Sequence, residues 1–277
     1  MVVARRRPAF GLHVVLLILA ALGLYPLIFM VLNAFKSGIQ TAASPFSIPL
    51  HPLWQNFVQA FEATGSAFWR SGVIVSVSVT VMLIFALMAA YAFAKMRFPG
   101  RDKLFYVIFG LLLVPGFLVL IPLFLEIKDL HLLNSLWGLI LPYIAGGQAF
   151  CIFILRTFIR ALPDELFEAA KMDGATEWPM FLRIVVPLSV PIVVTLALLN
   201  VIGLWSDYIL PSLVLSTNHE TVALAIANFV PPPLAPSINA FNLQLAAFTL
   251  ASIPIAILFM FLMRYFVAGI TNGSLKM

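Results

Sequence analysis

The sequence predicts an all-α, polytopic membrane protein with six transmembrane helices and both termini in the cytoplasm. Three observations support that class. Of the 277 residues, 62% are hydrophobic and only 10% charged, whereas a soluble domain carries roughly a quarter charged residues. Six windows, 12–34, 71–94, 104–125, 137–155, 184–206 and 244–263, contain no Asp, Glu, Lys or Arg. The basic residues outside them divide unevenly between alternate connecting segments. With a mean hydropathy of +1.07, the chain has too little polar surface to cover a water-soluble globule. That excludes a soluble enzyme, a disordered tail and a disulfide-stapled secreted domain. The single cysteine, Cys151, cannot form an internal bridge.

Each window matches the roughly 20 residues that cross a ~30 Å hydrocarbon core as a helix. Barrel strands would need alternation over about ten residues, so helices are the remaining way to satisfy the backbone in lipid. Window 12–34 follows Arg5, Arg6 and Arg7. Its apolar run exceeds a signal peptide's core of roughly 7–15 residues, and no small-x-small site closes it. It is read as a retained first helix, preceded by a cytoplasmic segment, 1–11. Pro26, Pro115, Pro122, Pro142 and Pro254 lie inside the windows and are expected to kink helices whose neighbours satisfy the freed carbonyls. Gly23, Gly72, Gly110, Gly138 and Gly203 are expected to permit close helix contact. Between the fifth and sixth windows, the apolar stretch 208–214 can extend the fifth helix or dip back into the membrane. Pro211 and the polar group Asn218, His219, Glu220 argue against a further full crossing.

Placing the N-terminus inside puts 13 of the 16 Lys and Arg residues on the inner side, leaving Lys36, Arg70 and Lys128 outside. The positive-inside rule therefore sets both termini in the cytoplasm. Topology accounts for the net charge of +5, so lipid, and not nucleic acid, is the partner that composition implies.

The connection between the fourth and fifth windows, reading PDELFEAAKMDGATEWPMFLRIVVPLSVP from Pro163, carries five of the chain's eleven acidic residues. Pro163 suits a helix start, with Asp164 and Glu165 opposing the dipole. Glu168 and Lys171 are spaced to pair, Gly174 can supply the left-handed residue that ends the helix, and Thr176 can cap a second one. Leu166, Phe167 and Ala170 form one apolar face available to a partner, while Phe181, Ile184 and Val185 lead into the fifth membrane helix. Such a helix-turn-helix, amphipathic and continuous with a span, is either a docking handle or an ordinary interfacial loop.

Glu168-Ala169-Ala170, three residues, Gly174, nine residues, Ile184 and then Pro187 is similar to the EAA loop of ABC importer permeases. Asp173-Gly174-Ala175 with Phe181, Ile184, Pro187 and Pro191 resembles the carbohydrate branch, and most closely the shorter, six-helix subunit of maltose-type permease pairs. Residues 89–99 (AAYAFAKMRFP), 205–211 (WSDYILP) and the tail after Arg264 also look like that subunit. Val186, where the pattern often has Leu, is a conservative departure.

The resemblance implies a type I ABC importer permease fold. It implies a single transmembrane permease domain, 12–267, with a cytoplasmic coupling loop, 163–187, and a cytoplasmic tail, 268–277. Its implied partners are a second permease subunit, a dimer of cytoplasmic ATP-binding cassette ATPases and an extracellular or periplasmic sugar-binding protein. Glu168, Ala169, Ala170, Asp173, Gly174, Ala175, Phe181, Ile184 and Pro187 would couple to the ATPase. No G-x-x-x-x-G-K-[ST] loop is present, so the chain is expected to be no enzyme and to hold no cofactor, ATP and Mg residing on the partner. No metal motif appears, and His13, His51, His131 and His219 read as surface or interfacial residues.

Asp207, near Asn200 and Ser206 in an otherwise uncharged stretch, is a candidate for the pathway, or simply an interfacial helix-end residue. By the same resemblance, Pro231, Pro232 and Pro233 occupy the outer loop that meets the binding protein, and 272–277 the segment that contacts the ATPase. The expected function is the permease subunit of an ATP-driven, binding-protein-dependent sugar importer in the cell's inner membrane. A permease for another small polar solute stays open. A self-contained secondary transporter would be expected to carry buried ion-coupling charges, which the six windows lack.

Overall fold

The computed structural model describes residues 10–216, 219–229 and 240–274, and among them all regular structure is helical. Among the described residues, five helices are long and apolar enough to cross a membrane, or six if one sharply bent pair counts as a single span. The chain divides into two compact units, Met1–Gly65 with Asn228–Ile253, and Ser66–Ala227 with Pro254–Met277.

In the first unit, α1 (Phe10–Ala34) agrees with window 12–34 and keeps its apolar side chains exposed along most of its length. A short helix, α2 (Gly38–Ala43), starts at Ser37, whose hydroxyl accepts from the Gln40 amide at 3.2 Å. The carbonyls left over where α1 ends are taken up by buried side chains. Asn56 donates to Ala34 and Lys36 at 2.8 and 2.9 Å. Asn242 donates to Asn33 and to the Thr41 hydroxyl, both at 2.7 Å. Lys36, fully buried, donates from Nζ to the Ser44 and Pro45 carbonyls at 3.1 Å. Burial pushes its ammonium below its usual range.

In the second unit, α3 (Gln55–Lys95) continues from the first and holds window 71–94. Its start lies well before that window because Glu62 and Arg70 end the charge-free run without ending the helix. Val75, Val79, Met82, Ala86 and Ala90 fall on one face at helical spacing. They form a core with Cys151, Leu155 and Ile159 of α6 (Trp137–Arg160) and with Leu196 of α9 (Val186–Trp205). A second core joins Ile74, Leu139, Ile140, Tyr143, Leu210 and Val214.

Window 104–125 is not one helix. It splits into α4 (Arg101–Gly110), a 3₁₀ turn (Leu111–Leu113) and α5 (Gly116–Asp129), with a 99° bend. Pro115 is the cause: the residue before a proline is driven from the helical region, and Val114 sits at φ −82°, ψ 116°. Pro26, Pro122, Pro142 and Pro254 lie within continuous helices. Among the five glycines expected at close contacts, only Gly138 bears this out. A Cβ there would strike the Leu132 carbonyl, whereas Gly23, Gly72, Gly110 and Gly203 meet nothing within 4 Å. Gly147, which was not among those five, is also tight, against the Met82 side chain.

The stretch 208–214 does not extend the fifth helix, which ends at Trp205. It forms α10 (Ile209–Val214), which packs Leu210 and Val214 into the second core. A further short helix, α11 (Val222–Ala227), and α12 (Ala240–Ser274) complete the chain. Window 244–263 lies inside α12, which also runs through most of the stretch expected as a tail.

Candidate functional site

The connection 163–187 folds as the sequence predicts. Pro163 opens α7 (Asp164–Met172), whose first turn carries Asp164 and Glu165 and whose last carries Lys171. The chain then reverses at Gly174, φ +77°. The Ala175 amide donates to the Ala170 carbonyl at 2.9 Å and the Gly174 amide to the Lys171 carbonyl at 3.0 Å. This is the paired closure of a Schellman turn, which requires a left-handed residue where glycine stands. Thr176 sits at the cap of α8 (Glu177–Met180) in extended backbone, yet its side chain makes no capping bond.

From α8 the helix does not stop. A π-helical segment, Phe181–Val185, passes it into α9, so that Glu177–Trp205 is one continuous span. Pro187 has no N–H for the Arg183 carbonyl and its ring crowds that carbonyl. The widened turn lets the Val186 amide reach Phe181 instead. A rigid rod thus begins in the loop itself.

The structure corrects the apolar face of α7. Phe167 is not free for a partner: it is 5% exposed, belongs to the first core and stacks on Tyr91 at 6.4 Å. The Lys95 ammonium lies over the same Phe167 ring, 4.6 Å from its centroid. Nor do Glu168 and Lys171 pair with each other; the loop's ion pair is Lys95–Asp164, at 2.6 Å. Lys95 also donates to the Leu162 carbonyl at 2.9 Å. The hydrogen bond from Lys95 to Asp164, aided by the ammonium's charge, holds the Asp164 carboxyl below its ordinary range. From the same helix α3, the Tyr91 hydroxyl donates to Glu177 Oε2 at 2.5 Å.

The nine residues expected to couple therefore divide in two. Phe181 is buried and Ile184 and Ala175 are half-buried, so they hold the loop to its own chain. Glu168, Ala169, Asp173, Gly174 and Pro187 are exposed, and Ala170 is intermediate. The apolar surface that α7 and α8 actually present is Leu166, Met172 and Trp178, at 44%, 88% and 57% exposure. Tyr91, Lys95, Met172 and Trp178 escaped the sequence reading as site residues. The sole signal for the first two was that they fall within the stretch 89–99.

Asn200, Ser206 and Asp207 do not form one cluster. The Asn200 amide donates to the Leu196 carbonyl at 2.8 Å and reaches Cys151 Sγ at 3.5 Å. Asp207 accepts from the Tyr143 hydroxyl at 2.7 Å and from the amide of Ile209, the first residue of α10, at 3.0 Å. Both side chains tie α9 or its end to α6, while Ser206 is exposed. Gln148, the lone amide in window 137–155, adds a bond to the Met82 carbonyl at 3.1 Å. Pro231, Pro232 and Pro233 lie outside the described residues. Among the described residues, no group of three or more His, Cys, Asp or Glu could hold a metal ion.

Residues 82–272 match the family described as the binding-protein-dependent transport system inner membrane component. The chain belongs to that family. The match runs from the middle of α3 through the connection 163–187 into α12, so it holds that connection and all of the first core except Val75 and Val79. The chain is 35% identical over 217 residues to the diacetylchitobiose uptake system permease protein NgcG of Streptomyces coelicolor, covering 78% of this chain and 72% of that protein. It is 31% identical to the arabinooligosaccharides transport system permease protein AraQ of Halalkalibacterium halodurans, over 93% of both chains. With the maltodextrin transport system permease protein MalD of Streptococcus pneumoniae it shares 32% identity, over 91% of this chain and 90% of that one. A chain from the crystal structure of a bacterial ABC transporter involved in importing the acidic polysaccharide alginate has the same fold. The TM-score is 0.82, at 23% identity, covering 96% of this chain and 99% of that one. This family member is thus an inner-membrane transport component.

Proposed function

We propose that the chain is the permease subunit of an ATP-driven, binding-protein-dependent importer of sugars or oligosaccharides. It forms half of the translocation pathway with a second permease and takes its power from a cytoplasmic ATPase dimer, which holds the ATP and Mg. The relatives' cargoes support the carbohydrate reading: diacetylchitobiose, arabinooligosaccharides and maltodextrin by name. The observation that carries the coupling role is the continuity of Glu177–Trp205. The knob made by α7 and the Gly174 turn sits at the end of a rod that becomes a membrane span. ATPase closure pressing on exposed Glu168, Ala169, Asp173 and Gly174, with Met172 and Trp178 beside them, would move α9 as a rigid body instead of bending a loop.

Ala170, Ala175, Phe181, Ile184 and Pro187 position that knob. Asn200, Ser206 and Asp207 border the pathway, and Pro231, Pro232 and Pro233 meet the extracellular sugar-binding protein. Both termini are cytoplasmic in this reading. The test is co-expression with the neighbouring ATPase, second permease and binding protein, followed by uptake of labelled oligosaccharides into vesicles. ATP-dependent oligosaccharide uptake is expected. Uptake of an amino acid or polyamine alone would overturn the cargo, and uptake without ATPase would overturn the mechanism.

A further inference from the structure

A cavity of about 820 Å³ lies behind α7, where α3 and α6 end and α4 begins. Six cationic side chains line it, Lys95, Arg97, Arg101, Arg156, Arg160 and Lys171, against three carboxylates. Two of those carboxylates are already engaged, Asp164 by Lys95 and Glu177 by Tyr91. Asp102, nearby, is shared by Arg101 at 3.2 Å and Arg156 at 3.7 Å. Among the described residues, Arg97, Arg160 and Lys171 form no ion pair within 4.0 Å.

The cavity is also built, not merely charged. The Arg156 guanidinium lies over the Phe105 ring, its Cζ 3.7 Å from the centroid, and donates to the Phe93 carbonyl at 3.4 Å. Arg101 is anchored on the Met96 carbonyl at 3.2 Å. A second cavity of about 460 Å³ shares Arg97 and Arg101 and adds Lys103. A concave surface with an unbalanced excess of one charge concentrates the opposite ion. Guanidinium forks match phosphate oxygens two at a time.

We propose that this cavity binds a phosphate group, from a membrane lipid headgroup or a soluble phosphate compound, and that the bound phosphate clamps α7 to α3 and α6. Basic pockets between membrane helices on the cytoplasmic side take anionic headgroups by the same chemistry. The site does not depend on which solute is carried.

The test uses the purified importer in two kinds of nanodisc. In phosphatidylcholine alone, inorganic phosphate is titrated by calorimetry; in mixtures with phosphatidylglycerol, retained lipid is counted by native mass spectrometry. Saturable phosphate binding assigns a soluble ligand, and preferential retention of phosphatidylglycerol assigns a headgroup; either supports the site. The double variant Arg97→Gln, Arg160→Gln is expected to weaken that binding by roughly tenfold or more, and Arg97→Lys, Arg160→Lys to recover part of it with an unchanged melting temperature. Absence of both kinds of binding in the unaltered importer would overturn the proposal, as would undiminished binding in the Gln variant.

Discussion

At the scale of single residues, the turn that ends α7 rests on Gly174 for a conformational reason and not a steric one. Its φ is +77°, and a Cβ added there meets nothing within 4 Å. A side chain would fit, but it would hold the backbone in a left-handed region costing L-residues roughly 1–2 kcal/mol. Substitutions should therefore order by backbone preference, with Asn mildest, Ala intermediate and β-branched Val worst. The expected outcome is graded loss of ATPase co-purification and uptake across Gly174→Asn, Ala and Val, with membrane insertion retained. Equal loss in all three would point to a contact role for the glycine surface instead. Asp164 makes a complementary prediction. Its carboxyl is held below the ordinary 3.8 by Lys95, so the folded state binds its proton less readily than the unfolded one. The stabilisation is thus present above that ordinary value and disappears as pH falls through the lower, folded one. The melting temperature of Asp164→Asn should lie slightly below wild type at neutral pH, because the pair is exposed, and the gap should close in acid. A gap that persisted or widened in acid would contradict the tether.

At the scale of elements, α7 is attached to its own chain before it meets anything else. Phe167, buried on Tyr91 and Lys95, makes the attachment. Phe→Ala changes at buried sites cost about 3–5 kcal/mol, which exceeds what a nine-residue helix could recover alone. Phe167→Ala should release α7, seen as faster amide exchange over Asp164–Met172 with little change in α6. Leu166→Ala, on the exposed side, should leave exchange untouched and weaken only ATPase binding. Matching exchange in both variants would disprove the division. These elements also show what the sequence could convey. The Schellman turn was legible because Gly174 and the helix preceding it are local. Phe167 was recognisable as part of an apolar face, but periodicity names a face without naming its occupant, and Tyr91 is far away in sequence. Pro115 broke a helix where Pro26, Pro122, Pro142 and Pro254 did not. The ring removes one N–H in every case, and surrounding packing decides whether the helix survives it. The start of α3 was missed because Glu62 and Arg70 interrupt a charge-free window, a criterion for lipid exposure and not for helicity. The exposed pair Met172 and Trp178 gave no sequence signal, since exposure of an apolar side chain depends on what the fold leaves uncovered.

At the scale of the whole molecule, the sparse charges serve both topology and packing. The three basic residues assigned outside are largely absorbed by the fold. Lys36 is fully buried on two carbonyls, and Arg70 reaches the Glu220 carbonyl at 3.4 Å. The basic residues assigned inside, in contrast, include the cluster around α7. Orientation by the positive-inside rule depends on charges near the span ends that resist translocation, and these inner charges satisfy that condition. Labelling can check the assignment cleanly, because the native thiol of Cys151 is fully buried and should stay silent to a membrane-impermeant maleimide. Ala43 and Ala161 are both exposed and small. The variant Ala43→Cys should be labelled in intact cells, whereas Ala161→Cys should be labelled only after the membrane is opened. Labelling of Ala161→Cys from outside would invert the topology. It would move α7 away from any cytoplasmic ATPase and remove the physical basis for coupling through Gly174, because ATP is hydrolysed on one side of the membrane only.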